Sequence, residues 1–140
     1  MNIVDTGPLV ATIDADDPYH TACVGLLSEA AAPLVTTWPV VAEAMHLLGR
    51  RQGWRAQELL WRPILRAGIQ VDDLNTADCR RMARLMEIYH RAGMDLADAS
   101  LVVLVERYRR YRILSLDSDF FIYRAAGNRA ITPVSGGRRA

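Results

Sequence analysis

The sequence predicts an α/β protein with a short central parallel sheet flanked by helices in three layers. Two observations carry this. Short apolar, β-branched runs alternate with longer stretches of helical periodicity along the whole chain. The 140 residues fit one domain, with no internal repeat, linker or low-complexity segment. Alternating strands and helices of this kind bury a parallel sheet between helical layers, with right-handed crossovers.

Each element has a local reason. Residues 2–5 read as a buried strand ended by Thr6-Gly7-Pro8, and residues 9–13 as one or two helical turns, since proline is tolerated in a first turn. Asp16-Asp17-Pro18 opens a helix from Pro18 to about Ala31, with Ala22, Leu26 and Leu27 inward and Pro33 as its stop. Residues 34–36 form a second strand. Thr37-Trp38-Pro39 starts a helix whose apolar stripe is Val40, Val41, Ala44, Leu47 and Leu48. A basic turn is expected over 49–53. A helix over 54–66 follows, with Pro63 near its end, and then a strand over 69–71. Asn75 or Thr76 caps a helix to Arg91 that Gly93 ends. Asp95 caps another, mostly apolar helix from Leu96 to about Tyr111. Residues 112–116 form a strand, residues 117–124 a short helix and residues 131–134 a last strand. Residues 1–134 thus make a single domain, and 135–140, rich in Gly and Arg, a disordered tail.

Bulk composition excludes some classes and leaves others open. An apolar fraction of 51% fits a globular chain, not a disordered one. The net charge of +1 does not announce a nucleic-acid binder, although all 17 basic residues are arginine, whose planar fork suits phosphate and carboxylate alike. Codon bias explains that arginine content equally well. Cys23 and Cys79 lack metal-motif spacing and read as two buried free thiols. The N-terminus has no basic stretch followed by an apolar one, so no signal peptide is read, and no segment approaches ~18 unbroken apolar residues. A soluble, cytoplasmic protein with no membrane partner is expected.

The chemistry lies in the acids. In open α/β sheets, sites form at the carboxyl ends of the strands. Asp5 and Asp117 follow two strands, Asp98 lies in the first turn of a helix starting at that edge, and Glu43 lies one turn into another. Two carboxylates ~4 Å apart repel by about 4 kcal/mol at an effective dielectric near 20. A cluster of them would protonate in part unless a cation neutralised it. All-oxygen donors suit Mg²⁺ or Mn²⁺, with which a water can be activated against a phosphodiester. Each acid also has a plainer reading. Asp5 can be a turn residue and Glu43 an exposed helix acid. Asp95 reads as an N-cap and Asp98 as a first-turn acid, and Asp117 and Asp119 as helix-start acids. Only their joint placement argues for a site.

These residues resemble the PIN-domain ribonucleases, and within them the VapC-type toxins of toxin–antitoxin pairs. Ile3-Val4-Asp5-Thr6-Gly7-Pro8-Leu9 is similar to the first motif, a strand ending in Asp followed by Thr or Ser. Val40-Val41-Ala42-Glu43 matches the helical glutamate, and Met94-Asp95-Leu96-Ala97-Asp98-Ala99-Ser100 resembles the third motif through Asp98. Leu114-Ser115-Leu116-Asp117-Ser118-Asp119-Phe120 resembles the fourth, with Ser115 where Thr is common. The resemblance spans about residues 2–134. It implies a PIN-like fold and an endoribonuclease dependent on Mg²⁺ or Mn²⁺. Asp5, Glu43, Asp98 and Asp117 are its acidic metal site, and Thr6 and Ser115 are hydroxyls that orient those acids, with Asp95 and Asp119 beside them. It further implies a transfer or ribosomal RNA substrate, a homodimer and a cognate antitoxin.

Two other readings compete. A PIN-fold protein without catalysis would bind RNA and leave it intact. Glu43-x-x-His46 and Glu87-x-x-His90 match the pattern of a di-iron helical bundle, which needs four long helices. Trp54 and Trp61 are candidate interface residues, Trp38 a core or interface residue, and Arg50, Arg51 and Arg55 either phosphate contacts or a solvated helix end. Phe120, Phe121 and Tyr123 are expected to pack the last helix on the sheet, with base stacking as the alternative for Tyr123.

Overall fold

A computed structural model describes residues 1–131, 133 and 134. The chain runs β1 (Asn2–Val4), α1 (Thr6–Ile13), α2 (His20–Glu29), β2 (Leu34–Thr37), α3 (Trp38–Gln52), α4 (Trp54–Leu65), β3 (Ile69–Asp72), α5 (Thr76–Ile88), α6 (Leu96–Arg107) and β4 (Arg112–Leu114). It closes with β5 (Arg124–Ala125), β6 (Arg129–Ala130) and β7 (Pro133–Val134). The main sheet has the order β3-β2-β1-β4-β7 and is parallel throughout. Among the described residues six α-helices flank it, which is the PIN-like α/β architecture expected.

β1 lies in the middle of the sheet, and Ile3 and Val4 are fully buried there with Val35, Ile113 and Leu114 of its neighbours. A strand buried on both faces has no polar alternation, which is why these runs are continuously apolar. α6 is the central helix. It packs on β1, β2, α3, α5 and β5, and residues 97–105 are all buried. Parallel strands all end at one edge, and that edge receives Asp5, Thr37 and Ser115.

Several boundaries differ from expectation for identifiable reasons. α3 continues through Gly49 to Gln52 instead of breaking into a basic turn. Arg51 pairs with Asp14 and Asp17, and Gln52 bonds Asp14 and Asp16, so the last turn is tied to the loop before α2. Gly49 is where α4 comes close: a Cβ there would stand 2.5 Å from Gln57 Nε2, which donates to the Met45 carbonyl. The chain turns at Gly53, with φ 75°, a left-handed angle that favours glycine. α6 stops at Arg107, four residues early. There Tyr108 turns extended, and its hydroxyl donates to Asp72 at the end of β3. α5 ends at Ile88, with a 3₁₀ turn over 90–92 before left-handed Gly93. The strand after α6 covers 112–114 only. The helix expected over 117–124 is a 3₁₀ turn over 118–121, followed by an antiparallel β5–β6 hairpin that the sequence did not signal. The expected tail, 135–140, lies outside the described residues.

Candidate active site

The carboxyl edge of the sheet opens into a cavity of about 200 Å³ lined by Asp5, Thr6, Gly7, Glu43, Leu47, Asp95, Asp98, Leu116 and Asp117. Each acid is brought there by its own element. Asp5 ends β1, and its amide still pairs with the Leu114 carbonyl at 3.0 Å before the chain turns into α1. Thr37 caps α3 by accepting from the Val40 amide, and Glu43 stands on that helix. Asp95 and Asp98 form a reciprocal capping box at the start of α6. Asp117 caps the 3₁₀ turn after β4 by accepting from the Asp119 amide.

Hydrogen bonds fix the two deepest acids. Asp5 Oδ1 accepts from the Thr6 amide and Oδ2 from the Ser115 hydroxyl, both at 2.7 Å. Ser115 Oγ also accepts from the Asp117 amide at 2.9 Å, so one buried hydroxyl links two acids. Asp98 Oδ2 accepts from the Tyr123 hydroxyl at 2.9 Å and from the Asp95 amide at 3.4 Å.

Burial dominates the electrostatics. Desolvation pushes the Asp5 carboxyl up to about 6, against the donors Ser115 and Thr6, with Asp117 and Glu43 adding to the rise. Asp98 is pushed up to about 7, first by burial and then by Asp95. Glu43 is also raised, by burial and then by Asp95. Thr6 Oγ1 lies near enough to Glu43 to oppose that rise slightly, yet it is buried and completes no hydrogen bond. The pocket therefore combines excess negative charge with an orphaned hydroxyl. Among the described residues, no three acids are drawn tightly enough together to cage a metal ion by themselves.

The sequence-predicted residues fall unevenly. Asp5, Glu43, Asp98 and Asp117 share the cavity, with Thr6 beside them and Ser115 just behind. Asp95, expected only as a supporting residue, lines the cavity itself. Asp119 does not; its amide serves Asp117 instead. Tyr123 was missed. Its ring is 0% exposed, which rules out base stacking, and nothing local in the sequence signals its bond to Asp98. Cys79 is exposed, whereas Cys23 is buried as expected. Arg51 of the basic cluster is occupied by Asp14 and Asp17. Trp61 packs on Trp38 with centroids 6.3 Å apart, while Trp54 is 65% exposed. The parallel sheet and the strand at the N-terminus overturn the di-iron bundle, and His46, Glu87 and His90 are all exposed.

Comparison with known proteins follows the same line. The PIN domain family matches residues 3–127. Ribonuclease VapC26 of Mycobacterium tuberculosis is 33% identical over 136 residues, covering 97% of this chain and 96% of that protein. The crystal structure of M. tuberculosis VapC20, described as a sarcin–ricin loop cleaving toxin, superposes with a TM-score of 0.81 at 21% identity, covering 95% of this chain and 100% of that one. A toxin–antitoxin complex from Klebsiella pneumoniae matches with a TM-score of 0.65 at 15% identity, covering 94% and 96%.

Proposed function

Since the chain belongs to the PIN-domain family, among its VapC-type toxins, we propose that it is an Mg²⁺- or Mn²⁺-dependent endoribonuclease acting as the toxin of a toxin–antitoxin pair. The observation that carries this is the cavity in which Asp5, Glu43, Asp98 and Asp117 meet, with Asp5 and Asp98 pushed up to about 6 and 7 by burial first and by neighbouring acids second.

The residues fit a hard dication. The donors are all oxygen, and among the described residues both bonds on the Asp98 carboxylate fall on Oδ2, with no donor on Oδ1. The Thr6 hydroxyl, which meets no hydrogen-bond partner within bonding geometry among the described residues, lines the same cavity. Mg²⁺ typically takes one or two carboxylates and keeps waters and substrate phosphates as its other ligands, so an open set of acids serves where a closed cage is lacking. Asp5, Glu43, Asp98 and Asp117 would hold it, and when bound it supplies the Lewis acidity that activates water against a phosphodiester and offsets charge in the transition state. The chain's own residues prepare that site. Ser115 and the Thr6 amide fix Asp5, Ser115 sets the Asp117 backbone, and Leu47 and Leu116 give the pocket an apolar rim.

The same reading takes residues 1–134 as one nuclease domain, RNA as substrate (transfer or ribosomal), a cognate antitoxin, a homodimer and a cytoplasmic site of action. The relatives' descriptions support an RNA substrate and an antitoxin: one is a ribonuclease, one cleaves the sarcin–ricin loop, and one is a toxin–antitoxin complex. Exposed Trp54 is the candidate contact for a partner chain. Among the described residues no helix is long and apolar enough to cross a membrane.

Expression of the wild-type chain is expected to arrest growth, and Asp5→Asn or Asp98→Asn to relieve it. The purified protein should cleave RNA with Mg²⁺ or Mn²⁺ and stop in EDTA. Full toxicity of both variants would refute the assignment of the acids. RNA binding without cleavage, unchanged by EDTA, would establish the non-catalytic alternative.

A further inference from the structure

Tyr123 lies past the acidic motifs, where the 3₁₀ turn runs into β5. Its ring is held edge-on between Tyr89 and Phe120, with centroids 5.3 and 5.4 Å away. The Tyr89 hydroxyl accepts from the Arg124 amide at 3.0 Å, and the Tyr123 amide bonds the Asp119 carbonyl at 3.3 Å. The ring thus has one orientation, and its hydroxyl points at one target, Asp98 Oδ2. A phenylalanine would fill the same apolar space without needing a partner for a buried hydroxyl. What the tyrosine adds is a donor.

That donor chooses between the two oxygens of Asp98. Oδ2 takes the phenol at 2.9 Å and the longer bond from the Asp95 amide. Oδ1 receives neither, and Asp98 lines the acidic cavity. Without the phenol, the carboxylate would be held by the 3.4 Å capping bond alone. It could then rotate, or turn toward the cap and away from the pocket.

We propose that Tyr123 is a positioning residue of the metal site: it pins Asp98 Oδ2 and so presents Oδ1 to the cation. This rests on the metal-dependent reading of the cavity given above. Partners that orient a metal-binding group typically change metal affinity 10–100-fold when removed.

The test is Mn²⁺ binding to the full-length metal-free protein by isothermal titration calorimetry, with RNA cleavage measured across Mn²⁺ concentration. Tyr123→Phe should bind Mn²⁺ roughly tenfold or more weakly, and its cleavage rate should climb back toward wild type as Mn²⁺ is raised. Tyr89→Phe perturbs the same ring cluster without touching Asp98 and should bind Mn²⁺ as wild type does. Adding Tyr123→Phe to Asp98→Asn should weaken Mn²⁺ binding no further, because the two act through one group. The inference is overturned if Tyr123→Phe binds Mn²⁺ like wild type, if Tyr89→Phe weakens it equally, or if the two losses in the double variant simply add. Wild-type protein that takes up no Mn²⁺ and cleaves nothing with it sinks the reading of the site itself, and this inference falls with it. Wild type that binds and cleaves beside an unaffected Tyr123→Phe sinks the inference alone.

Discussion

Ser115 shows how much one small side chain decides at this site. Its hydroxyl donates to Asp5 and accepts from the Asp117 amide, while 1% exposed. Ser115→Ala leaves a buried carboxylate oxygen and a backbone amide unpaired. Urea unfolding should show a loss of about 1–3 kcal/mol, and cleavage should fall roughly tenfold or more as Asp5 loses its orientation. Retention of both wild-type values would show that Ser115 only fills space. The acids make a second prediction, in pH. Asp5 and Asp98 hold their protons more tightly folded than unfolded, at about 6 and 7 against the ordinary 3.8 of an exposed aspartate. Their contribution to stability is therefore complete at acid pH and is lost as pH rises through those values. In EDTA the thermal midpoint should drop between about pH 4 and 7, and Asp98→Asn should flatten that drop. Mn²⁺ competes with the same protons, so it should raise the midpoint more at pH 8 than at pH 6. A pH slope identical in wild type and Asp98→Asn would count against the buried-charge account.

Elements deliver these residues to one place, and their ends matter more than their middles. α3 carries Glu43 and starts at Thr37, whose hydroxyl accepts from the Val40 amide and shares a 2.6 Å hydrogen bond with Ser100 of α6. Thr37→Ala removes the cap and the link between the two helices that carry Glu43 and Asp98. It should cost about 1–2 kcal/mol in chemical denaturation, with a smaller effect on cleavage than Ser115→Ala. An unchanged midpoint would mean that neither the cap nor the Ser100 contact holds the helix start. At this scale the sequence specifies the elements wherever the signal is local. Asp95 is legible as a cap, Thr37 as a helix start, Asn75 as one of two cap candidates with Thr76, and Gly93 as a stop, because a cap is chemistry between residues three apart. Boundaries decided by a distant group carry no local signal. Gly49 did not break α3, because Arg51 and Gln52 are tied to Asp14, Asp16 and Asp17. Tyr108 ended α6 because Asp72 accepts its hydroxyl.

Across the whole molecule, α6 joins the layers, since it packs on two strands, two helices and the small hairpin. Leu101 is fully buried at its centre. Leu101→Ala should lower stability by about 2–5 kcal/mol, and circular dichroism and tryptophan fluorescence should report one shared transition. Two separated transitions would mean that the halves of the sheet unfold independently. The sequence by itself determined the alternation of strands and helices, the parallel sheet, and the arrival of Asp5, Glu43, Asp98 and Asp117 at one edge. Those follow from periodicity and from the geometry of parallel strands, which all end on the same side. Only the tertiary structure decided that Ser115 bonds Asp5 across 110 residues, that Tyr123 bonds Asp98, that Asp95 enters the cavity while Asp119 stays out, and that Arg51 is already paired. A hydrogen bond between distant side chains depends on how whole layers pack to a fraction of an ångström, and no local pattern in a sequence encodes that.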